Sequence, residues 1–223
     1  MIPLSQYLKE LVYVTAHLEV YINTHDPNIS VPISAEAKQG TYTASLDYLA
    51  YCSQFHYTPP MEHFFCHYLA AHIQDGQNVL EVGCLTGTSG LVLGRLKQVH
   101  LSFHDFEGLG LDFIRVYCQL EGIKAEVIPY APTGLLRGGY DWVLALDVLE
   151  HTGNHLGFIK WVASLGYNVA LCYPITTYFS PPHVAVLDEW VDDEAIQWTI
   201  ERRYKMIVSY CLDGRRYMIF STI

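Results

Sequence analysis

Basic residues are scarce in this chain of 223 residues, which has 13 Lys and Arg against 23 Asp and Glu and a formal net charge of −10. The densest basic spots are the pairs Arg202-Arg203 and Arg215-Arg216. A protein that binds nucleic acid needs cations to displace the counterions of the phosphate backbone. The charge balance therefore argues against DNA or RNA as a partner.

Long apolar runs and paired cysteines are also lacking. No run approaches the roughly 18 apolar residues that indicate a membrane span, and Lys9 and Glu10 interrupt the N-terminal stretch before any apolar core of signal-peptide length. The six cysteines are dispersed, without a C-x-x-C pair, and several lie in apolar runs, where a thiol acts as a small hydrophobic group. We therefore expect a reduced, cytoplasmic protein with no membrane partner.

What the chain does contain is material for a core, since 51% of its residues are hydrophobic and only 16% are charged. This composition is typical of a globular protein rather than a disordered one. The length suits one α/β domain with an extension. We expect residues 1–75 to form an N-terminal helical cap and residues 76–223 to form the ligand-binding domain.

Apolar periodicity predicts alternating strands and helices through the second part of the chain. Strands are predicted over 78–82, 99–103, 125–128, 141–147, 168–173, 206–211 and 216–223. Helices are predicted over 3–24, 42–54, 111–121, 154–165 and 188–203. Two more are predicted, one from Pro59 to near 75 and one from the glycine turn that follows Val82 to about 96. The early strands should be parallel, whereas Asp213-Gly214 is a hairpin signal. The predicted fold is an α/β, doubly wound, mostly parallel seven-stranded sheet with an antiparallel last strand.

Three of the predicted strands carry an acid at or just beyond their carboxyl end, namely Glu81, Asp105 and Asp147. The carboxyl ends of parallel strands meet at one edge of the sheet, where ligands bind. Asp105, at the end of the second strand, is placed to receive both hydroxyls of a ribose. A single such acid more often caps a neighbouring helix, but three at matching strand ends favour a ligand site.

A glycine turn follows Glu81, and its Gly83 and Gly87 would let the backbone approach a ligand closely. The turn lacks the G-x-x-x-x-G-K-[ST] pattern of a phosphate loop, and its glycines at 83, 87 and 90 do not have the dinucleotide spacing G-x-G-x-x-G. This spacing disfavours an NAD(P)-binding protein. An acid just before the turn disfavours a pyrophosphate and suits a ligand that carries an ammonium group.

The segment from Glu81 to Gly87 resembles the acid-x-G-x-G-x-G motif of the class I S-adenosylmethionine-dependent methyltransferases. Residues 140–151 resemble that family's fourth-strand motif, with the D-x-L-E-H ending of small-molecule members, and the last hairpin matches its reversed final strand. The resemblance covers roughly residues 75–223. It implies methyl transfer from S-adenosylmethionine, with S-adenosylhomocysteine as product, to a small hydroxylated or aromatic acceptor. The alternative is a relative that uses this cofactor as a scaffold or in non-methylating chemistry.

The resemblance also implies cofactor-binding residues. They are Glu81, Gly83, Cys84 and Gly87 at the methionine end, Asp105 and Phe106 at the ribose and adenine, and Asp147 and Val148 near the sulfonium. Two departures stand out. Leu85 replaces the middle glycine of the motif, and the sequence Ile128-Pro129-Tyr130-Ala131 lacks the acid that often meets the adenine amino group.

The candidates for a catalytic base are His151, His183 and Glu150. His151 follows the fourth strand and His183 follows the fifth, and histidine titrates near neutrality. A histidine that only forms hydrogen bonds in a loop is the alternative.

Tyr42, Phe55, Tyr57 and His155 are candidates for binding the substrate, since a helical cap could exclude water from the methyl group. The cap could instead pack on the sheet or form the surface of a homodimer. His63/His67 and His151/His155 have i, i+4 spacing, but without an H-E-x-x-H pattern or a cysteine cluster we expect no metal.

Overall fold

The computed structural model describes residues 2–25, 60–130, 136–174, 193–212 and 215–223. Its α-helices are α1 (Leu4–His25), α2 (Pro60–His72), α3 (Thr88–Leu96), α4 (Leu109–Glu121), α5 (His155–Leu165) and α6 (Asp193–Glu201), with a short 3-10 turn at Leu149–His151. Its strands are β1 (Asn78–Val82), β2 (His100–Asp105), β3 (Ala125–Pro129), β4 (Tyr140–Leu146), β5 (Gly166–Pro174), β6 (Tyr204–Leu212) and β7 (Arg215–Thr222). Both ends of every described strand lie within two residues of the predicted ends. The helix predicted over 42–54 falls outside the described residues.

The strands form one seven-stranded sheet in the order β3-β2-β1-β4-β5-β7-β6. Strands β1 to β5 pair in parallel, whereas β7 runs antiparallel to both β5 and β6. This topology confirms the predicted fold class. We call the edge at which β1 to β5 end the carboxyl edge. The chain order changes direction between β1 and β4, and in open α/β sheets ligands bind outside the carboxyl ends at such a point.

Helices cover both faces of the sheet, which explains why the central strands read as nearly continuous apolar runs. On one face α1, α2, α3 and α4 pack on the sheet in a single cluster that includes Leu18, Phe65, Leu91, Phe103 and Ile114. On the other face α5 and α6 pack in a second cluster that includes Val143, Ile159, Val169, Ile196 and Phe220. The sheet is therefore packed on both faces, and its carboxyl edge lies between the two clusters.

The N-terminal helix was predicted over 3–24 and is present as α1. It packs into the same hydrophobic cluster as the sheet. Arg95 of α3 also holds it through ion pairs with Glu10 of α1 and Glu121 of α4 and lies over the ring of Tyr13, 3.9 Å from its centroid. A separate cap over residues 1–75 with a lid function stays a prediction.

The helix predicted from Pro59 begins at Pro60 in the described residues and ends at His72 rather than near 75. The N–H of Gln74 donates to the side chain of Gln77 at 2.7 Å rather than to a carbonyl of the preceding turn, so the helix stops earlier than predicted. Among the helices described, none is long and apolar enough to cross a membrane.

Candidate functional site

The glycine turn after β1 has a repeating backbone conformation. Gly83, Leu85 and Gly87 have φ values of 63°, 47° and 61°. These are the three positions that the motif assigns to glycine. Leu85 therefore adopts the left-handed conformation of the glycine it replaces, at a cost of roughly 1–2 kcal/mol for a residue with a Cβ.

Two contacts hold Leu85 in this conformation. Its N–H donates to Oδ2 of Asp105 at 2.6 Å. On its other side, the carbonyl oxygen of Leu85 lies so close to α4 that a Cβ at Gly110 would be only 2.3 Å from it. The turn is thus fixed by β2 and α4 together, and a side chain at Gly110 would push it away. Sequence reasoning gave no role to Gly110.

Asp105 stands at the end of β2 and is partly buried. Its carboxylate accepts the N–H of Leu85 through Oδ2 and the N–H of Phe106 through Oδ1 at 2.6 Å. Burial raises the pKa of the Asp105 carboxyl above its usual range, and the two N–H donors only partly oppose that effect. Asp105 therefore joins the glycine turn to β2 through two backbone N–H donors.

An exposed aromatic pair lies beside Asp105. Phe106 is 57% exposed and Tyr130, after β3, is 50% exposed. Their ring centroids are 5.0 Å apart. The rings are tilted by 59° to each other, and an exposed aromatic face at a strand end can contact another planar ring.

Glu81 is buried beneath α3, where Oε2 accepts the N–H of Gly90 at 2.9 Å. Capping of a neighbouring helix was the alternative to ligand binding for an acid at a strand end, and Glu81 makes such a contact. It places a negative charge at the positive end of α3. A Cβ at Gly90 would lie only 2.7 Å from the same oxygen. Whether Glu81 also holds a ligand stays a prediction.

The glycines of the turn serve packing inside the protein. A Cβ at Gly83 would lie 2.2 Å from Cγ2 of Val148, and one at Gly87 would lie 2.8 Å from both Ile114 and Phe103. The Cβ direction of each glycine therefore faces protein side chains, so packing alone disfavours a larger residue at either position. Whether Gly83 and Gly87 also contact a ligand stays a prediction. Cys84, between them, is buried, and burial raises its thiol pKa well above the ordinary value.

Asp147 follows β4 and is the second non-glycine residue of the described chain with a positive φ, at 52°. Its N–H donates to the carbonyl of Cys172 in β5 at 2.9 Å. Its Oδ1 accepts hydrogen bonds from Arg215 of β7 and from the thiol of Cys172. The sequence analysis identified Arg215 only as part of a basic pair. No pattern in the neighbouring residues indicates that the last hairpin brings this side chain to the end of β4.

The 3-10 turn after Asp147 carries the two described candidates for a base. Glu150 is buried, with 1% of its surface exposed. Its Oε1 lies 4.0 Å from Nε2 of His151, whose side chain is 21% exposed. His155 begins α5, so His151 and His155 lie on two different elements. A carboxylate next to an imidazole stabilises the protonated ring.

Several other predicted residues fall outside the described part of the chain. They are Tyr42, Phe55, Tyr57 and His183. Their assignments stay predictions. In the residues that the structure describes, no group of three His, Cys, Asp or Glu side chains could hold a metal ion, and Nε2 of His67 is bonded to the carbonyl of Ile2 at 2.7 Å.

Two broad depressions lie away from the carboxyl edge. One of about 610 Å³ is lined by His100, Lys124 and Tyr140 among others, at the start of the strands. The other, of about 700 Å³, adjoins it and reaches Arg95 and Gly122. Neither is lined by a residue that the sequence or the geometry assigns to the candidate site, so both are surface grooves at the opposite edge of the sheet.

No protein-family model and no curated protein matches the sequence, whereas many solved structures share the fold. The structure of magnesium protoporphyrin IX methyltransferase (ChlM) from Synechocystis PCC 6803 with bound SAH matches with a TM-score of 0.59 and 16% identity, over 73% of this chain and 81% of that chain. An O-methyltransferase family protein from Burkholderia thailandensis matches with a TM-score of 0.63 and 12% identity, over 84% of this chain and 68% of that one. The [4+2]-cyclase SpnF matches with a TM-score of 0.61 and 9% identity, over 82% and 85%.

Proposed function

We propose that this chain, which has the fold of the class I S-adenosylmethionine-dependent methyltransferases, binds S-adenosylmethionine and methylates a small hydroxylated or aromatic acceptor. The observation that carries the proposal is the contact between the glycine turn and Asp105. It places a fixed carboxylate and a backbone turn side by side at the carboxyl edge, next to the point where the strand order changes direction.

The residues at this edge fit the cofactor. Asp105 is an acceptor-only group when ionised, and it is held in position by two backbone N–H groups. It would receive the ribose hydroxyls, while Phe106 would lie beside the adenine and the turn around Gly83 would meet the methionine end. When bound, S-adenosylmethionine supplies an electrophilic methyl group. The protein contributes positioning and, where needed, a base.

His151 is the base that the described geometry favours. It is partly exposed and lies one residue from the buried Glu150, whose carboxylate would stabilise the ring after it has taken a proton from the acceptor hydroxyl. Glu150 would then act as a positioning residue for the ring. His183 remains a second candidate that lies outside the described residues.

Calorimetry with S-adenosylmethionine, S-adenosylhomocysteine and NAD tests the cofactor. We expect both sulfur nucleotides to bind and NAD not to bind. If neither sulfur nucleotide binds, the proposal fails. With an acceptor in hand, His151→Gln should lower the rate of methyl transfer by about 10²-fold or more and leave the affinity for S-adenosylhomocysteine nearly unchanged. His100→Gln, at the opposite edge of the sheet, is the matched control.

A second candidate function is a relative that binds the same cofactor without transferring its methyl group. Two observations support it. The turn carries Leu85 in place of a glycine, and the fold is shared with a protein described as a [4+2]-cyclase. Formation of S-adenosylhomocysteine during turnover distinguishes the two, because only the methyltransferase produces it.

A further inference from the structure

Arg215 lies at the carboxyl edge because β7 runs antiparallel to the other strands. It is the first residue of β7 and pairs in register with Pro174, the last residue of β5. Along the edge, Asp105 ends β2, Gly83 follows β1, Asp147 follows β4, and Arg215 comes two strands further on. A cofactor that reaches from Asp105 to Asp147 would leave the part of the edge next to Arg215 for the acceptor.

The guanidinium of Arg215 is held in one place. Its Nη1 reaches across the end of β5 to donate to Oδ1 of Asp147. That oxygen also accepts the Cys172 thiol at 3.4 Å. The side chains of Arg215 and Asp147 are 18% and 27% exposed. Asp147 therefore orients the guanidinium of Arg215, and part of the arginine side chain is exposed to solvent.

The buried neighbours of Arg215 strengthen the hydrogen bonds that its guanidinium makes. Cys172 and Tyr217, which lie on the same face of the sheet as Arg215, are almost fully buried. A charge beside such neighbours is poorly screened by water, so its hydrogen bonds are stronger than those of a surface arginine. A planar guanidinium is also the side chain best matched to a carboxylate.

We propose that Arg215 binds an anionic group of the acceptor, so that this protein selects small hydroxylated or aromatic acids. Asp147 is the positioning residue that orients the guanidinium. This inference rests on the proposed function, because the cofactor defines which part of the carboxyl edge receives the acceptor. Arg215, in the last hairpin, would then determine which acceptors the protein binds.

The test uses protein saturated with S-adenosylhomocysteine and a panel of hydroxylated aromatic carboxylic acids, each paired with its primary amide. Calorimetry should show at least one acid binding about tenfold or more tightly than its amide, the effect of one charge-assisted bidentate contact. Arg215→Gln should abolish this difference, and Arg215→Lys should keep part of it. The proposal is overturned if no acid binds more tightly than its amide, or if R215Q keeps the preference.

Arg216→Gln is the matched control, because Arg216 is the next residue of β7 and lies on its opposite face. It removes the same charge and should leave the difference between acid and amide unchanged. Binding of S-adenosylhomocysteine to each variant is measured separately, so a failure of the cofactor proposal is distinguished from a failure of the acceptor proposal. If R215Q does not fold, the proposal is tested by two other measurements. These are the preference of the wild-type protein for an acid over its amide and the partial preference expected of R215K.

Discussion

The backbone N–H of Leu85 donates to Oδ2 of Asp105 at 2.6 Å across 20 residues of sequence. The donor belongs to a residue in the left-handed region, and the acceptor is an anion at the end of the neighbouring strand. The bond therefore links the conformation of the glycine turn to the carboxylate that, under the proposed function, receives the ribose hydroxyls.

Leu85→Gly tests the strain in the turn. Glycine removes the left-handed penalty of roughly 1–2 kcal/mol but loses the packing of a half-buried side chain, whereas Leu85→Ala loses the packing and keeps the penalty. We expect the glycine variant to be more stable than the alanine variant by about 1 kcal/mol in urea unfolding. An alanine variant of equal or greater stability would contradict the strained conformation.

Asp105 should make cofactor binding depend on pH. Its carboxyl pKa is raised in the folded protein, mainly by burial, so the carboxylate becomes protonated at a higher pH than an ordinary aspartate. The affinity for S-adenosylhomocysteine should fall as the pH is lowered through that raised pKa and should recover above it. Calorimetry across the acid range measures this.

Variants of Asp105 separate its charge from its contact with Leu85. Asp105→Ala removes both and should weaken binding about tenfold or more. Asp105→Asn keeps an oxygen for the Leu85 N–H, so it should bind more tightly than the alanine variant and lose the acid dependence. Glu107→Gln, an exposed carboxylate two residues away, is the control. An Asp105→Ala variant with unchanged affinity would show that the ribose lies elsewhere.

Gly83 and Val148 should show coupled stabilities. Gly83→Ala adds a Cβ 2.2 Å from Val148 at a residue whose φ is 63°, and we expect a loss of about 3 kcal/mol in the free energy of unfolding. Gly122→Ala has the same strain, with φ of 65°, but nothing within 4 Å, so it should cost only about 1 kcal/mol. Val148→Ala should recover part of the loss in the Gly83 variant. Strictly additive effects in urea unfolding would argue against the contact.

Arg95 should anchor the N-terminal helix. Arg95→Met leaves the carboxylates of Glu10 and Glu121 without their shared cation at sites that are less than a quarter exposed. We expect a loss of about 2 kcal/mol, between the values for exposed and fully buried pairs. Arg115→Met breaks a more exposed network with Glu107 and Asp112 and should change the stability by less than about 1 kcal/mol. Equal losses in thermal or urea unfolding would refute a special role for Arg95.

Several parts of the site could be predicted from local pattern. Asp105 and Asp147 end buried strands, and parallel strands bring such ends to one edge. Leu85 was identifiable as the departure from the glycine motif. Its positive φ could not be predicted, because that conformation depends on contacts with Asp105 and Gly110, which come from later elements.

The sequence alone determined the strands, the reversed final hairpin and, to within a few residues, the helices that the structure describes, because each is encoded in apolar periodicity and turn residues within a short window. Only the tertiary structure decided that Val148 fills the space over Gly83 and that Arg215 meets Asp147. Those contacts join residues that are 65 and 68 positions apart, and they depend on the order in which the strands lie side by side. Strand order is a property of the packed sheet, which no local pattern specifies.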